Sequence, residues 1–515
     1  MDAKRKAVSH MIKRILEGET DLDKLKREAG RKFRLSQSLK NTAILKDFPR
    51  GKLTIEIVSL LKRKPMRTLS GVAPIAVMIK PEGSCRWSCI YCPYTGKAPK
   101  SYTGSEPAAM RAIDNDFNAA RQVKSRIAQF ELNGHNTSKC DVIIMGGTFL
   151  AMPPAYRNRF IKGIYGALNG KSSKTLEAAK KLNESAKHRM VGLTFETRPD
   201  VCGIKEINEM LDAGGTKVEL GVQHPSDEIY GKICRGHSVS HVVDATGLLK
   251  DSAFKVAYHL MPGLPGSSPQ KDIAMFRRIF SSPDFRPDML KIYPTLVIPG
   301  TRLHKLMEKG EYQPYSTETA AEVIAKAYEH IPKYARVMRI QRDIPANLIA
   351  GGVKKSNLRE IVERKTESMG IKINEIRHRE AGLGKKPVSE PRMQRLDYGA
   401  SGGDEVFLSI EDRKNKALAA FLRLRIPGKS LRAEITGKTA LVRELHVYGE
   451  ETQLGEKGSV QHRGFGSALL AEAEKIASEE FGKSKITVIS AVGVRPYYYP
   501  KGYAPDGPYV SKRIK

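Results

Sequence analysis

Three cysteines within eight residues, Cys85, Cys89 and Cys92 in the stretch GSCRWSCIYCPY, constrain this chain more than any other feature. Thiolates are soft ligands that suit iron–sulfur and zinc alike, so residue type alone does not choose the metal. The count narrows it. Structural zinc and a fully ligated cluster normally take four protein ligands. The spacing C-x3-C-x2-C lets one short loop hold three corners of a cubane [4Fe–4S] cluster and leaves one iron open. An open iron is what S-adenosylmethionine (SAM) needs in order to chelate and be cleaved to a 5′-deoxyadenosyl radical. Two other readings stand beside it: a zinc knuckle completed by a distant fourth ligand, and cysteines with no shared role.

The surroundings of this loop are expected to be α/β. Residues 71–345 alternate short apolar runs with helical patterns, the layout of parallel βα units. Six candidate strands stand out: VAPIAVMIK, CDVIIMGG, MVGLTFETRPD, GTKVELGVQ, FKVAYHLMPG and MLKIYPTLVIPG. Each ends in a polar or glycine-rich turn, where parallel α/β folds build their sites, and the cysteine loop directly follows the first. Six units, together with Tyr91 before the last cysteine, resemble the partial (β/α)6 barrel and signature of radical-SAM enzymes. At the end of the second strand Gly146, Gly147 and Thr148 allow close backbone approach to a ligand, and the resemblance places such a motif against SAM; a plain turn is the alternative. On the third, Glu196 and Arg198 share one side of an extended strand, either to hold SAM or as a local ion pair. Gln223 and Arg235 lie at the next rim position. His259 is expected to be a packed core histidine.

Composition adds a polyanion. The chain has 515 residues, enough for several domains, with 88 Lys and Arg against 56 Asp and Glu, a net charge of +32. Such an excess suits phosphate or an anionic membrane. No apolar run reaches the ~18 residues that span a bilayer, and MDAKRKAVSH lacks a signal-peptide core. Six scattered or clustered cysteines form no disulfide framework, so a cytoplasmic setting is expected. Residues 1–70 are helical in pattern, with 19 Lys and Arg against 8 acids. Their polar company (Ser36, Gln37, Ser38, Asn41) favours phosphate contacts, and a tRNA-binding arm is expected, a solvated helical face being the alternative. Residues 346–399 are expected to be a linker.

Residues 400–515 carry a second pattern. EVFLSIED, KALAAFLRLRI and TALVRELHVYG suggest strands, and Gln461-His462-Arg463-Gly464-Phe465-Gly466-Ser467 opens the helix SALLAEAEKIASEEFG. The order strand, Q-x-x-G-x-G, helix, then KITVISAVG and RPYYYPKGY resembles the pyrophosphate cradle of GNAT acetyltransferases. Free N–H groups and the positive end of the dipole at a helix start suit a diphosphate, and glycines let it approach.

A radical-SAM barrel followed by a GNAT domain is a rare pairing, and the segments RTLSGVAPIAVMIKP, SYTGSEPAAMRAI, MGGTF, FETRPD, VELGVQ, YHLMPGLPGS, VMRIQRDIP, SGGDEVFLS, VRELHVYG, QHRGFGSALL and VGVRPYY closely resemble the Elongator catalytic-subunit family in its stand-alone archaeal or bacterial form. The resemblance implies a tRNA uridine carboxymethyltransferase that uses a [4Fe–4S] cluster, SAM and acetyl-CoA to make 5-carboxymethyluridine at the wobble position. It also implies an external reductant and leaves a homodimer open. Carried over residue by residue, Cys85, Cys89 and Cys92 build the radical generator. Glu444, Leu445, His446, Val447, Phe465, Gly466 and Ser467 hold acetyl-CoA, Lys139 contacts it and Tyr498 lies at the thioester. Two departures stand out. Many relatives space the first two cysteines more widely and continue as CPGG, and many carry linker cysteines where this chain has INEIRHREAG with only His378, so no structural zinc is expected. The rival activity is protein lysine acetylation with the barrel as scaffold.

Overall fold

Apolar runs too short for helices fold here into a single all-parallel sheet. The computed structural model describes residues 3–35, 38–61, 70–83, 85–382, 386–449 and 464–515. Within them β1 (Val72–Met78), β2 (Lys139–Met145), β3 (Arg189–Thr197), β4 (Lys217–Gln223), β5 (Lys255–Leu260), β6 (Met289–Ile292) and β7 (Arg336–Ile340) pair in chain order. Every neighbouring pair is parallel. Helices cross between them and cover the outer face, which is why strands such as β4 are buried at nearly every position. The six expected strands are all present. The seventh, β7, escaped expectation because two of its five residues are Arg336 and Arg339, and a strand so charged has no apolar signature.

A second sheet follows: β8 (Arg392–Ala400), β9 (Gly403–Asp412), β10 (Ala417–Ile426), β11 (Thr439–Val447), β12 (Lys485–Val488), β13 (Ala504–Asp506) and β14 (Tyr509–Arg513), in the spatial order β13-β14-β12-β11-β10-β9-β8. Only β11 and β12 pair in parallel. The helix Phe465–Lys475 packs across β9, β10 and β11, while the other face of β10 meets the barrel, so all ten residues of β10 are buried. The span 346–399 contains the helix Leu358–Ser368 and most of β8. The amino-terminal residues form four helices, Ala3–Leu16, Leu22–Lys32, Asn41–Asp47 and Ile55–Leu61. Ala7, Val8, Met11 and Ile15 recur on one face of the first and meet Leu25, Ala29, Ile44 and Phe48 in a small core of their own. The charged residues Arg5, Lys6, Lys13, Arg27 and Arg31 stay exposed. Ser36, Gln37 and the basic run at 62–69 lie outside the described residues.

The second sheet is fastened to the amino-terminal ends of the barrel strands by buried charge. Arg443 of β11 donates from Nη1 and Nη2 to the two carboxylate oxygens of Asp288, just before β6, at 2.8 and 2.6 Å. Its Nε also donates to Glu405 of β9 at 3.1 Å. Arg425 of β10 donates to Asp251 and Glu405 at 2.8 and 3.0 Å, and Lys250 reaches Glu405 at 3.4 Å. Burial alone would raise the Asp288 carboxyl, but Arg443, Lys250 and Arg423 outweigh it and hold the group well below the usual carboxylate range. Gly493 closes the junction further: a Cβ there would sit 2.6 Å from the Cβ of Arg189 at the start of β3.

Candidate active site

The carboxyl ends of the barrel strands converge on one pocket, lined in part by Cys85, Cys89, Cys92, Glu196, Arg198 and Arg235. The cysteine loop is tied down on both sides. Ile90 N–H donates to Ile233 O at 3.1 Å, Leu303 N–H donates back to Ile90 O at 3.0 Å, and Cys92 N–H donates to Cys89 O at 3.1 Å. Cys89 is buried, and Cys85 and Cys92 are half-buried.

Two buried guanidiniums face the central cysteine. Arg235 Nη1 lies 3.5 Å and Arg198 Nη1 4.0 Å from Cys89 Sγ. The Cys92 thiol hydrogen bond and then, against burial, Arg235 and Arg198 push the Cys89 thiol down, so the pair favours a thiolate at Cys89 beside the two guanidiniums. Thiolate, not thiol, is the form that ligates iron. Arg198 is itself fixed by Asp200 at 2.9 and 3.1 Å and by the Trp87 ring, whose centroid lies 3.9 Å from its guanidinium carbon. The buried hydroxyls of Tyr91 and Thr148, both lining the pocket, have no hydrogen-bond partner among the described residues. Three converging thiols, two cations and unpaired hydroxyls are a donor set that fits an anionic cluster and a polar ligand beside it.

The glycine rim is held where only glycine fits. Gly146 and Gly147 have φ of 126° and 83°, and a Cβ on Gly146 would fall 2.5 Å from Ile79 Cγ1. Gly147 and Thr148 line the pocket. Gly146→Ala is expected to lower SAM affinity by about tenfold or more, because the rim must shift to admit the methyl group; equilibrium dialysis of SAM against the reconstituted variant checks this.

Glu196 and Arg198 do not pair with each other. Glu196 accepts from Tyr102 OH at 3.0 Å and lies 3.9 Å from Lys291 Nζ. Lys291 also bonds Glu219, which accepts from or pairs with His259 Nε2 at 2.8 Å. Burial works against ionisation of Glu219, yet Lys291 and the bond to His259 hold it below the usual range. His259 is therefore a pocket residue in a charged chain, contrary to the expectation of a packed core histidine. The ligand atoms of Glu196, Glu219 and His259 lie within 4.8 Å of one another, but Lys291 already supplies their counter-charge. Glu219 and Lys291 were missed because a charged residue inside an apolar strand does not name its partner on another strand, and Tyr102 because it comes from a loop with no periodic pattern.

The comparisons with known proteins agree with this geometry. The Radical SAM superfamily model matches residues 79–279, the Radical_SAM C-terminal domain 287–368 and the ELP3 N-terminal domain 1–69. The chain is 47% identical to tRNA uridine(34) acetyltransferase of Methanocaldococcus jannaschii, covering 100% of this chain and 99% of that protein. It is 39% identical to human Elongator complex protein 3 over 99% of this chain and 97% of that one. The chain belongs to the Elongator complex protein 3 family. A solved structure of archaeal Methanocaldococcus infernus Elp3 with an N-terminal deletion superposes with a TM-score of 0.78 at 49% identity, covering 86% of this chain and 99% of that one. The chain is thus a radical SAM enzyme, and the superfamily implies a [4Fe–4S] cluster and SAM at this rim. Among the described residues no helix is long and apolar enough to cross a membrane.

The other residues expected in this Elongator-family chain lie at the opposite end of the barrel. Lys139 opens β2 beside Arg189 of β3, and seven strand residues separate it from the rim by ~20 Å. The contact of Arg189 with Gly493 brings this end of β2 to the second sheet. There the parallel pairing of β11 with β12 runs from Thr439 to Val442 and ends, so Arg443–Val447 diverge from β12. Across the gap the helix Phe465–Lys475 begins, with Gly464 at φ 78° before it. A Cβ on Gly466 would lie 3.6 Å from Val447 Cγ2. Glu444 accepts from Arg423 Nε at 2.9 Å, and the His446 ring stacks on Phe421 at 5.9 Å. Leu445 and Val447 pack against the second-sheet core. Gln461, His462 and Arg463 lie outside the described residues. Tyr498 is 5% exposed in the second-sheet core, and burial pushes its hydroxyl up, keeping it protonated. Its neighbour Tyr497 is the tyrosine at the helix start: it bonds Ser467 and would lie 2.7 Å from a Cβ on Gly466.

Proposed function

We propose that this enzyme modifies the wobble uridine of tRNA, forming 5-carboxymethyluridine from acetyl-CoA. One observation carries the reading: a thiolate rim for a SAM-cleaving cluster and a glycine-started helix beside a strand gap are joined in one chain by buried ion pairs. That pairing supplies an oxidising tool and a carbon donor together, and the relatives' names supply the uridine. When bound, the cluster and SAM provide a radical able to take hydrogen from an acetyl C–H that no side-chain base deprotonates.

The chain's own residues do the rest. Cys85, Cys89 and Cys92 hold the cluster, with Arg198 and Arg235 balancing its charge. Gly146, Gly147, Thr148 and Glu196 position SAM. The backbone N–H groups of Phe465, Gly466 and Ser467 take the diphosphate of CoA, a strong arrangement at a helix start. Glu444–Val447 extend alongside the acyl arm in a GNAT-type splay. Tyr497 at the helix start offers a phenol donor to the CoA thiolate released when water cleaves the thioester, while Tyr498 packs behind it in the core. Lys139 faces the same end of the barrel. A cluster held there would need an external reductant, and the cytoplasm is the fitting compartment for this chemistry. A tRNA transcript whose wobble uridine is replaced by cytidine should yield no modified nucleoside, whereas equal product from both transcripts would contradict the reading.

The amino-terminal helices serve as the RNA-binding arm. Deleting residues 1–69 is expected to weaken tRNA binding by roughly tenfold or more. It should also flatten the salt dependence by about 0.9 in logarithmic slope for each phosphate that the protein no longer neutralises. Filter binding over a salt series checks both quantities.

A further inference from the structure

A second cleft opens beside the catalytic pocket, on the far side of the end of β4. Gln223, the last residue of β4, lines the catalytic pocket and has φ of 68°, a conformation that is rare for a side chain of its kind. The turn it makes sends His224 to the other side, into a cleft of about 260 Å³ between the helices Asp227–Lys232 and Pro269–Ser281. That is roomier than the ~150 Å³ cavity known to admit benzene.

His224 is 6% exposed, and neither ring nitrogen has a hydrogen-bond partner among the described residues. The nearest carboxylate oxygen, Asp272 Oδ1, lies 3.6 Å from Nε2. Burial, then Arg278 and Lys271, push the ring down to about 4, so at neutral pH it offers one N–H donor and one acceptor. Buried polar atoms in folded proteins are nearly always paired, and two on one ring point to a ligand with matching groups. Ile229 and Met275 supply apolar walls. Exposed Lys271 and Arg278 stand at the mouth, Arg278 fixed by donating to Pro225 O at 2.8 Å. Glu228 is also there, but its 3.8 Å approach to Lys271 is an exposed, weak pair that a phosphate can displace.

We propose that this cleft receives the base of a nucleotide adjoining the target uridine, with the flanking phosphate meeting Lys271 and Arg278. The proposal rests on the tRNA reading above. Drawing a uridine out of its stack into the catalytic pocket strips the neighbouring base of its stacking partner. An apolar cleft one residue away along the protein chain replaces that partner, and a neutral imidazole meets the donor and acceptor edge of an unpaired base.

The test uses full-length protein and an anticodon stem-loop RNA carrying an abasic site at one or the other nucleotide flanking the uridine. One abasic RNA should bind wild-type protein about tenfold more weakly, the loss expected when one stacked base is removed. Ala274→Trp fills the cleft from an exposed helix position, so it should weaken the intact RNA by a similar factor and abolish the abasic effect. His224→Ala should behave likewise, with its thermal midpoint read alongside. Equal abasic losses in wild type and Ala274→Trp, or no loss at either position, would overturn the proposal while leaving the tRNA reading intact. Failure of wild-type protein to bind the intact RNA would overturn both.

Discussion

Replacing Cys89 with alanine should abolish the modified nucleoside and lower cluster loading at least ~100-fold, while the chain stays folded and still binds tRNA. Even outer-shell changes at metal sites cost roughly 10–100-fold in affinity, and Cys89 is proposed as a ligand itself, the sulfur that Arg235 and Arg198 both face. Removing it leaves buried Arg235 without its anion while Arg198 keeps Asp200, so the local rim loosens, but the barrel core does not depend on the sulfur. Iron content and visible absorbance after anaerobic reconstitution read the loss directly. Cys234→Ala, at an exposed cysteine, serves as the comparison and should reconstitute normally. Full loading of Cys89→Ala would show that another residue holds the cluster.

Arg443→Met should be the most destabilising single change at the junction, by about 3–5 kcal/mol, the range for removing one partner of a buried ion pair. Arg443 is fully buried and neutralises both Asp288 and Glu405. Without it the two carboxylates share a dry site with only Lys250, Arg423 and Arg425 to balance them. The double variant Arg443→Met with Asp288→Asn should recover part of the loss, because the uncompensated charge goes with its partner. Chemical denaturation of Arg443→Met, Asp288→Asn and the double variant closes the cycle, and losses that simply add would mean the pair is not coupled. Acid follows the same logic. Both carboxyls are held below their ordinary values by the neighbouring cations, against burial. Their stabilisation is therefore complete above the unfolded carboxyl range of about pH 4 and is lost as the pH falls through their folded values.

These two predictions fall on opposite sides of what the sequence made legible. The cysteine loop, the glycine rim and the βα alternation are local patterns, and each appears where its spacing places it. Arg235 was placed at the rim by position, although nothing local shows that it reaches a sulfur 146 residues away. The junction was invisible for the same reason: Arg443 and Asp288 are separated by 155 residues, and an arginine inside an apolar strand gives no sign of its partner. The chain Tyr102–Glu196–Lys291–Glu219–His259 is assembled from separate elements, so only the assembled sheet brings it together. Tyr497 and Tyr498 differ by one residue, and one residue in a helical turn rotates a side chain by ~100°. A run of tyrosines in sequence cannot say which of them faces the helix start.

The placement of the two chemistries also follows from the fold rather than from either motif. The cluster rim sits at the carboxyl ends of the strands, and the second sheet caps their amino ends. Joined through buried arginines, the two parts leave the cysteine rim and the glycine-started helix at opposite ends of one barrel.

That arrangement makes the fate of the acetyl carbon the decisive measurement. Anaerobically reconstituted enzyme is supplied with reductant, SAM, tRNA and acetyl-CoA labelled in the methyl carbon, and the digested nucleosides are weighed by mass spectrometry. The account predicts the label in a carboxymethyl group on the wobble uridine, lost when Cys89 is replaced. Label on protein lysine, or unlabelled tRNA with the cluster intact, would contradict it.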